Sequence, residues 1–238
     1  MSSDGTRVAI GARTNNGTGT DAGHVQVYAE SGGTWTQVGS DIDGEAAGDQ
    51  SGTSVSMSSD GTRVTIGALG NSGTGTFAGH VRVYEESDGT WTQVGADIDG
   101  EAAGDYSGYS VSMSLDGTRV AISAVGNDGS GSDAGHVRVY SESGGTWTQV
   151  GADIDGEAAG DYSGCSVSMS SDGTRVAIGA IYNDAAGDAA GHVRVYEDTG
   201  GTWTQVGADI DGEAKHDYSG RSVSILSLIH ISEPTRPY

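Results

Sequence analysis

The sequence predicts an all-β protein, a β-propeller of four-stranded antiparallel blades, and two observations carry this prediction. The chain of 238 residues repeats itself every 56 residues, so that Trp35, Trp91, Trp147 and Trp203 occupy equivalent positions. Within each repeat, four short segments alternate apolar and polar residues, which is typical of half-buried strands. A unit of this size does not close a core alone, so its repetition indicates units that stack or surround an axis.

The third repeat shows the four strands most clearly, and we call them A to D. We expect strand A at residues 110–113, strand B at 119–124, strand C at 136–140 and strand D at 146–150. The A–B and C–D connectors are short and turn on Asp-Gly or Gly-Gly, as β-hairpins do. The B–C and D–A connectors are long. Antiparallel order places both long connectors of every blade on one face, where binding sites usually lie.

A β-solenoid with two coils per repeat is the competing fold. Its strands would pair in parallel with the next coil, whereas hairpin turns such as Asp116-Gly117 join antiparallel strands. Low apolar content, 34%, and 42 glycines would otherwise suggest disorder, but the apolar residues recur at fixed alternating places. The hairpins and the periodicity therefore favour the propeller.

The repeats define the domain organisation. We expect units at residues 1–53, 54–109, 110–165 and 166–221, with the start of a fifth unit at 222–225. Four blades would make a tight ring. We therefore expect a four-blade fragment of a larger propeller, an arc in which residues 222–225 form no ladder with residues 7–12.

The charge of the chain restricts its partners. Eleven basic and 33 acidic side chains give a net charge of −22, which disfavours nucleic acid and anionic membrane surfaces. No apolar stretch is long enough for a membrane span in this fragment. Cys165 is the single cysteine, so no disulfide forms within the chain.

One stretch of the repeat resembles a known family. The run GDYSGYSVSMSLDGTRVAISA, followed by GHVRVY, is similar to FG-GAP repeats, the blades of integrin-α-like β-propellers. The resemblance covers residues 1–225 and implies a propeller used for binding or adhesion, often outside the cell. The calcium loop of that family lies in the A–B hairpin and needs several oxygen ligands. Here that hairpin offers one aspartate per repeat, so the resemblance does not extend to the family's calcium site.

The repeat pattern stops after Ile225. The stretch LSLIHISEPTR at residues 226–236 resembles a translated transposase sequencing adapter. We therefore interpret residues 226–238 as a non-native tail.

The D–A connectors contain the candidate metal ligands. Acids at alternating positions of an extended chain point to one side, and a hard cation such as calcium would relieve their repulsion. A solvated acidic rim without an ion is the alternative, and the sequence favours it. The candidate calcium ligands are Asp97, Asp99, Glu101, Asp105, Asp153, Asp155, Glu157 and Asp161.

Three periodic residue types have structural interpretations. His136 has no second histidine or cysteine nearby in the sequence, so we expect a structural hydrogen bond rather than a metal site. One tryptophan per blade would fill the space between neighbouring sheets. Tyr106, Tyr162 and Tyr218 would face either a ligand or the neighbouring blade.

The sequence shows no catalytic constellation. Catalysis needs residues that break the symmetry of the repeat, and these are few and far apart: Arg13, Phe77, Cys165, Tyr182, Lys215 and His216. We therefore predict a non-enzymatic binding or adhesion propeller, extracellular or at the cell surface, whose acidic glycine-rich loops meet a protein or carbohydrate ligand. The alternatives are a structural array stiffened by calcium and the propeller part of a polysaccharide-active enzyme.

Overall fold

The computed structural model of the chain describes residues 1–225, and it consists of four sheets that we call blades 1 to 4. Blade 1 contains β1 (Arg7–Ala12), β2 (His24–Ser31), β3 (Thr34–Gln37) and β4 (Ile42–Asp43). Blade 2 contains β5 (Ser51–Met57), β6 (Arg63–Ala68), β7 (His80–Ser87), β8 (Thr90–Gln93) and β9 (Ile98–Asp99). Blade 3 contains β10 (Ser107–Met113), β11 (Arg119–Ala124), β12 (His136–Ser143), β13 (Thr146–Gln149) and β14 (Ile154–Asp155). Blade 4 contains β15 (Ser166–Met169), β16 (Arg175–Ala180), β17 (His192–Asp198), β18 (Trp203–Gln205) and β19 (Ile210–Asp211).

Each blade is an antiparallel sheet, which confirms the predicted fold class. In blade 3 the order is β10-β11-β12-β13, with Val120 opposite Tyr140 and Ala124 opposite His136. Consecutive strands are neighbours, so the parallel coils of a solenoid are excluded within residues 1–225. Over the same residues, no helix of a length and apolarity able to cross a membrane is found.

Strand D is found as β13, one residue shorter than predicted, and the predicted D–A connector contains a further two-residue strand, β14. Both strands pair with β12. Gly151 lies between them with φ of 74°, a left-handed conformation that interrupts the extended chain. Strand C is also longer than predicted and reaches Ser143.

The hydrophobic core lies in the seams between blades. In the seam of blades 2 and 3, Val81 and Ile98 pack against Val120 and Ile122. Trp147 of blade 3 packs on the same cluster, and its indole N–H donates a hydrogen bond to the Val94 carbonyl of blade 2 at 2.9 Å. The predicted role between neighbouring sheets is therefore confirmed for Trp91, Trp147 and Trp203, whereas Trp35 of blade 1 is exposed.

The A–B hairpins form the end of each blade that we call the hairpin end. The carboxylate of Asp172 accepts hydrogen bonds from the Ser170 hydroxyl and from the amide and hydroxyl of Thr174, and these lower its pKa to about 2. Successive hairpins are also joined, because the amide of Ser59 donates to the carbonyl of Leu115 at 2.8 Å. The lone aspartate therefore organises its own turn.

Arginines also join the blades at the hairpin end. The Arg63 guanidinium donates to the Gly117 carbonyl and to Glu142 of blade 3, at 3.2 and 3.1 Å. Arg119 makes the same two contacts with Gly173 and Asp198 of blade 4. Each seam is therefore closed at this end by a partly buried ion pair.

Blades 1 and 4 are not joined by strand pairing. Within residues 1–225, β1 pairs with β2 alone, and no ladder connects it to residues 222–225. The Ile225 amide instead donates to the Ser168 hydroxyl, as the Met169 amide does to Ser112 one repeat earlier. The adapter interpretation falls on residues 226–238, outside the described part, and the division into units stays a prediction.

Candidate functional site

The long connectors form the other end of the blades, which we call the loop end. The Thr74 hydroxyl of the B–C connector donates to the Gly100 carbonyl of the D–A connector in the same blade, at 2.8 Å. The Tyr106 amide of the D–A connector donates to the Phe77 carbonyl of the B–C connector at 3.0 Å. Both long connectors therefore lie together, as the alternating connector lengths predict.

A cavity of about 790 Å³ opens at the loop end and is lined by residues of all four blades. The residue after each B strand contributes to it, and this residue is Arg13 in blade 1 and apolar in the others. The full lining is Arg13, Leu69, Tyr106, Tyr109, Val125, Ala159, Gly160, Tyr162, Cys165, Ile181, Tyr182, Asp184, Asp188, Ala189 and Arg221.

Tyrosines form an aromatic wall beside the cavity. The ring of Tyr182 meets those of Tyr162 and Tyr218 edge to face, with centroids 5.4 and 5.7 Å apart. Partial burial, together with the nearby Asp133, raises the pKa of Tyr162, so its hydroxyl stays protonated and can donate. Tyr106 and Tyr162 therefore line the cavity, and Tyr162 also contacts Tyr182 of blade 4.

Two carboxylates of blade 4 line the cavity. The Lys215 ammonium lies 2.5 Å from Asp188, donates a hydrogen bond to it and lowers its pKa, so Asp188 is ionised. His216 lies 4.0 Å from the same carboxylate. One oxygen of Asp184 accepts a hydrogen bond from the Ala189 amide. The equivalent Asp128 of blade 3 makes the same bond with the Asp133 amide but does not line the cavity.

Cys165 lies in the cavity wall with its thiol engaged. The thiol donates to the Gly179 carbonyl at 3.2 Å, and burial raises its pKa. A nucleophilic cysteine needs a lowered pKa. We therefore assign Cys165 to the wall and not to the chemistry.

The cavity brings together residues that the sequence analysis treated as far apart. Arg13, Cys165 and Tyr182 all line it, and Lys215 and His216 contact Asp188 at its edge. This cluster is not apparent in the sequence because its members belong to different repeats. What the members have in common is that each differs from the residues at the equivalent positions of the other repeats.

The carboxylates within one D–A connector do not converge on a common point. Asp97 accepts a hydrogen bond from Gln93, and Asp105 is buried and accepts one from the Ala102 amide. Glu101 reaches Arg138 of the next blade at 3.0 Å, whereas Asp99 is exposed. The following connector repeats this pattern with Asp153, Asp155, Glu157 and Asp161. Calcium binding by these residues stays a prediction.

The histidines of strand C correct another expectation. His136 is 1% exposed, and neither ring nitrogen has a hydrogen-bond partner. The expected structural hydrogen bond is therefore absent at this position. Its Nδ1 instead lies 3.5 Å from an oxygen of Asp153.

Comparisons with known proteins support the repeat and the fold. Residues 152–196 match the FG-GAP repeat family. No curated protein matches the chain. Among solved structures, a candidate 6-phosphogluconolactonase of Bacteroides uniformis is similar with a TM-score of 0.60 at 12% identity, covering 89% of this chain and 53% of that one. The periplasmic gluconolactonase of Pseudomonas aeruginosa is similar with a TM-score of 0.55 at 18% identity, covering 87% and 55%.

These comparisons correct the functional prediction. The chain spans about half the length of the solved propellers, and at these identities the likeness shows the fold. Those propellers are named as lactonases, which are enzymes, and this contradicts the prediction of a non-enzymatic binding or adhesion propeller. The match to FG-GAP repeats supports a repeat propeller but not the integrin-like adhesion role.

Proposed function

We propose that this chain is the substrate-binding arc of a propeller hydrolase whose substrate is a sugar acid lactone. The observation that carries the proposal is the cavity at the loop end, where residues that break the repeat converge. The names of the similar solved propellers supply the substrate class. The alternative of an enzyme part, which the sequence analysis left open, is the one that these observations favour.

The positive charges of the cavity support an electron-rich ligand. Within residues 1–225, the lysines and arginines outside the repeated positions are Arg13, Lys215 and Arg221. Arg13 and Arg221 line the cavity, and Lys215 pairs with Asp188 at its edge. In a chain of net charge −22, such a concentration of cations favours binding of a lactone carbonyl or an anionic substituent.

The remaining lining suits a sugar ring. Tyrosine faces such as that of Tyr182 can stack on the C–H groups of the ring, while the carboxylates of Asp184 and Asp188 accept hydrogen bonds from its hydroxyls. Hydrolysis of a lactone requires a polarised carbonyl and an oriented water. An arginine can polarise the carbonyl, and the ionised Asp188 can orient the water that attacks it.

The test measures hydrolysis of glucono-δ-lactone and of its 6-phosphate by the 238-residue chain, together with calorimetric binding of 6-phosphogluconate. We expect Asp188→Asn to lower kcat/KM about 100-fold, as loss of a group that positions or deprotonates water does. Arg221→Gln should weaken binding of the phosphorylated ligand about tenfold, the effect of one charge-assisted hydrogen bond.

Two variants serve as matched controls. Asp128→Asn changes the blade 3 equivalent of Asp184, and Arg175→Gln changes an exposed arginine at the hairpin end. Both should leave hydrolysis and binding unchanged. Absence of saturable binding and of hydrolysis by the folded chain would contradict the proposal, as would equal losses in the cavity variants and the controls.

The proposal also includes the location and the partners of the chain. We propose an extracellular or cell-surface location, a carbohydrate-type ligand and no binding of nucleic acid. The charge of −22 supports the last of these. Retention on a heparin column, which mimics a nucleic-acid backbone, would contradict it.

A further inference from the structure

Three equivalent clusters of potential metal ligands lie in the seams between blades at the loop end. In each cluster a glutamate from one blade meets a histidine and an aspartate of the next, with one ligand atom from each residue within 4.8 Å of the others. The clusters are Glu45–His80–Asp97, Glu101–His136–Asp153 and Glu157–His192–Asp209. The cavity described above does not include these residues.

The histidine of each cluster is buried, and one or both of its ring nitrogens lack a hydrogen-bond partner. His80, His136 and His192 are each 1% exposed, and each has at least one ring nitrogen without a hydrogen bond. A buried polar atom that makes no hydrogen bond is costly and uncommon in proteins.

In two clusters the carboxylates face a ring nitrogen without a hydrogen-bond partner, Nδ1 of His136 and of His192. In the third cluster Nδ1 of His80 faces Asp97, and Nε2 is the nitrogen without a partner. Nδ1 of His192 lies 3.7 Å from an oxygen of Asp209 and 3.9 Å from Oε2 of Glu157. Two ligands on a tetrahedral zinc ion, bound at about 2.0 to 2.1 Å, are about 3.4 Å apart. Shifts of roughly half an ångström would therefore bring each carboxylate oxygen to this spacing from Nδ1.

An arginine orients the glutamate without occupying both of its oxygens. Arg194 contacts Oε1 of Glu157 at 3.3 Å, which leaves Oε2 toward His192. Outer groups of this kind commonly fix the ligands of a metal. Two carboxylates and one arginine leave each cluster with a net charge of −1, to which a divalent cation is attracted.

We propose that each cluster binds a divalent transition-metal ion of the zinc class. The ligands are one imidazole nitrogen and one oxygen from each carboxylate, with water at the open position. A nitrogen ligand with two oxygens favours zinc-class ions over calcium, which takes six to eight oxygens. Because the glutamate and the histidine belong to successive blades, the bound ion ties the blades together.

The chain contains its own matched controls. His24 of blade 1 forms a fourth group with Asp41 and Asp43, which offers the same ligand types but joins no two blades. Glu213 occupies the same connector position as Glu157, and within residues 1–225 it belongs to no such group.

The experiment titrates metal-free protein with zinc chloride by calorimetry and records thermal unfolding with and without zinc. We expect three equivalents that depend on the three seam clusters, apart from any ion bound by the group at His24, and the melting temperature to rise. The triple variant His80→Gln, His136→Gln and His192→Gln should lose these sites. The triple variant Asp97→Asn, Asp153→Asn and Asp209→Asn, which changes partly exposed side chains of equal shape, should lose them even if the histidine variant fails to fold.

The control variant Glu213→Gln should retain all three equivalents, whereas Glu157→Gln should lose one. Calcium chloride should produce a smaller rise in melting temperature than zinc chloride at the same concentration. Zinc binding that is the same in the wild type and in the aspartate triple variant would overturn the proposal. Absence of zinc binding to the folded wild type would also overturn it.

Discussion

The two ends of the blades are built from the same repeats and yet differ in how strictly they follow the repeat. At the hairpin end, blades 2 and 3 share the same turn aspartate, the same arginine and the same contacts to the next blade. At the loop end, equivalent positions differ between blades, as Arg13 and Ile181 do in the cavity wall. The comparison shows that the hairpin end repeats its contacts from blade to blade, whereas the loop end combines repeated contacts with positions that vary.

The largest expected effect tests whether the loop end also has fixed positions. A Cβ on Gly67 would collide with the Gly108 carbonyl of the next blade. We expect Gly67→Val to lower the free energy of unfolding by about 3 kcal/mol, because the backbones must separate. Urea denaturation followed by circular dichroism measures this effect.

The reverse change is the control. Ser123 stands in blade 3 where blades 2 and 4 have glycine, and its hydroxyl accepts a hydrogen bond from the Ser110 amide. Ser123→Gly should change the free energy of unfolding by about 1 kcal/mol or less. Equal losses in the two variants would contradict the steric explanation.

The next effect concerns the ion pairs at the hairpin end. Arg119→Met removes the cation that contacts Asp198, whose side chain is 7% exposed. We expect a loss of about 2 kcal/mol in the free energy of unfolding, the cost of a buried charged group that loses its partner. In the equivalent Arg175, which is 49% exposed and pairs with Glu197 of its own blade, the same change should cost at most about 0.5 kcal/mol. Similar costs in the two variants would show that the seam contact contributes nothing.

The smallest effect depends on pH. The pKa of Asp172 is about 2 in the folded chain, below its ordinary value of 3.8, so its ionised form stabilises the fold above pH 4. This stabilisation is lost as the pH falls from about 4 to 2. Asp172→Asn should therefore cost about 1 kcal/mol at pH 7 and almost nothing at pH 2, measured by urea denaturation at both values. A deficit that persists at pH 2 would contradict this assignment.

The sequence predicted the elements whose causes are local. The hairpin at Asp116-Gly117 follows from its turn residues, and strands such as β11 follow from alternation within six residues. The short strand β14 was not predicted, because it follows the left-handed Gly151 and contains only two residues, too few to show a pattern. Local causes thus account for most of the fold.

The candidate site was missed for a different reason. Arg13 and Arg221 lie 208 positions apart, and only the arrangement of the blades brings both to one cavity. The cluster around His136 likewise takes Glu101 from the preceding blade. A search of the sequence for nearby partners therefore finds neither site.

The hydrogen bonds between blades have a consequence for how the chain folds. Arg82 and Asp43, for example, are 39 positions apart, and Arg63 and Glu142 are 79 positions apart. The entropy lost on closing a loop depends on the length of that loop, so each added blade meets the same loss as the one before. The arc can therefore grow one blade at a time from either direction, and a duplicated repeat can join it without making any existing contact harder to form.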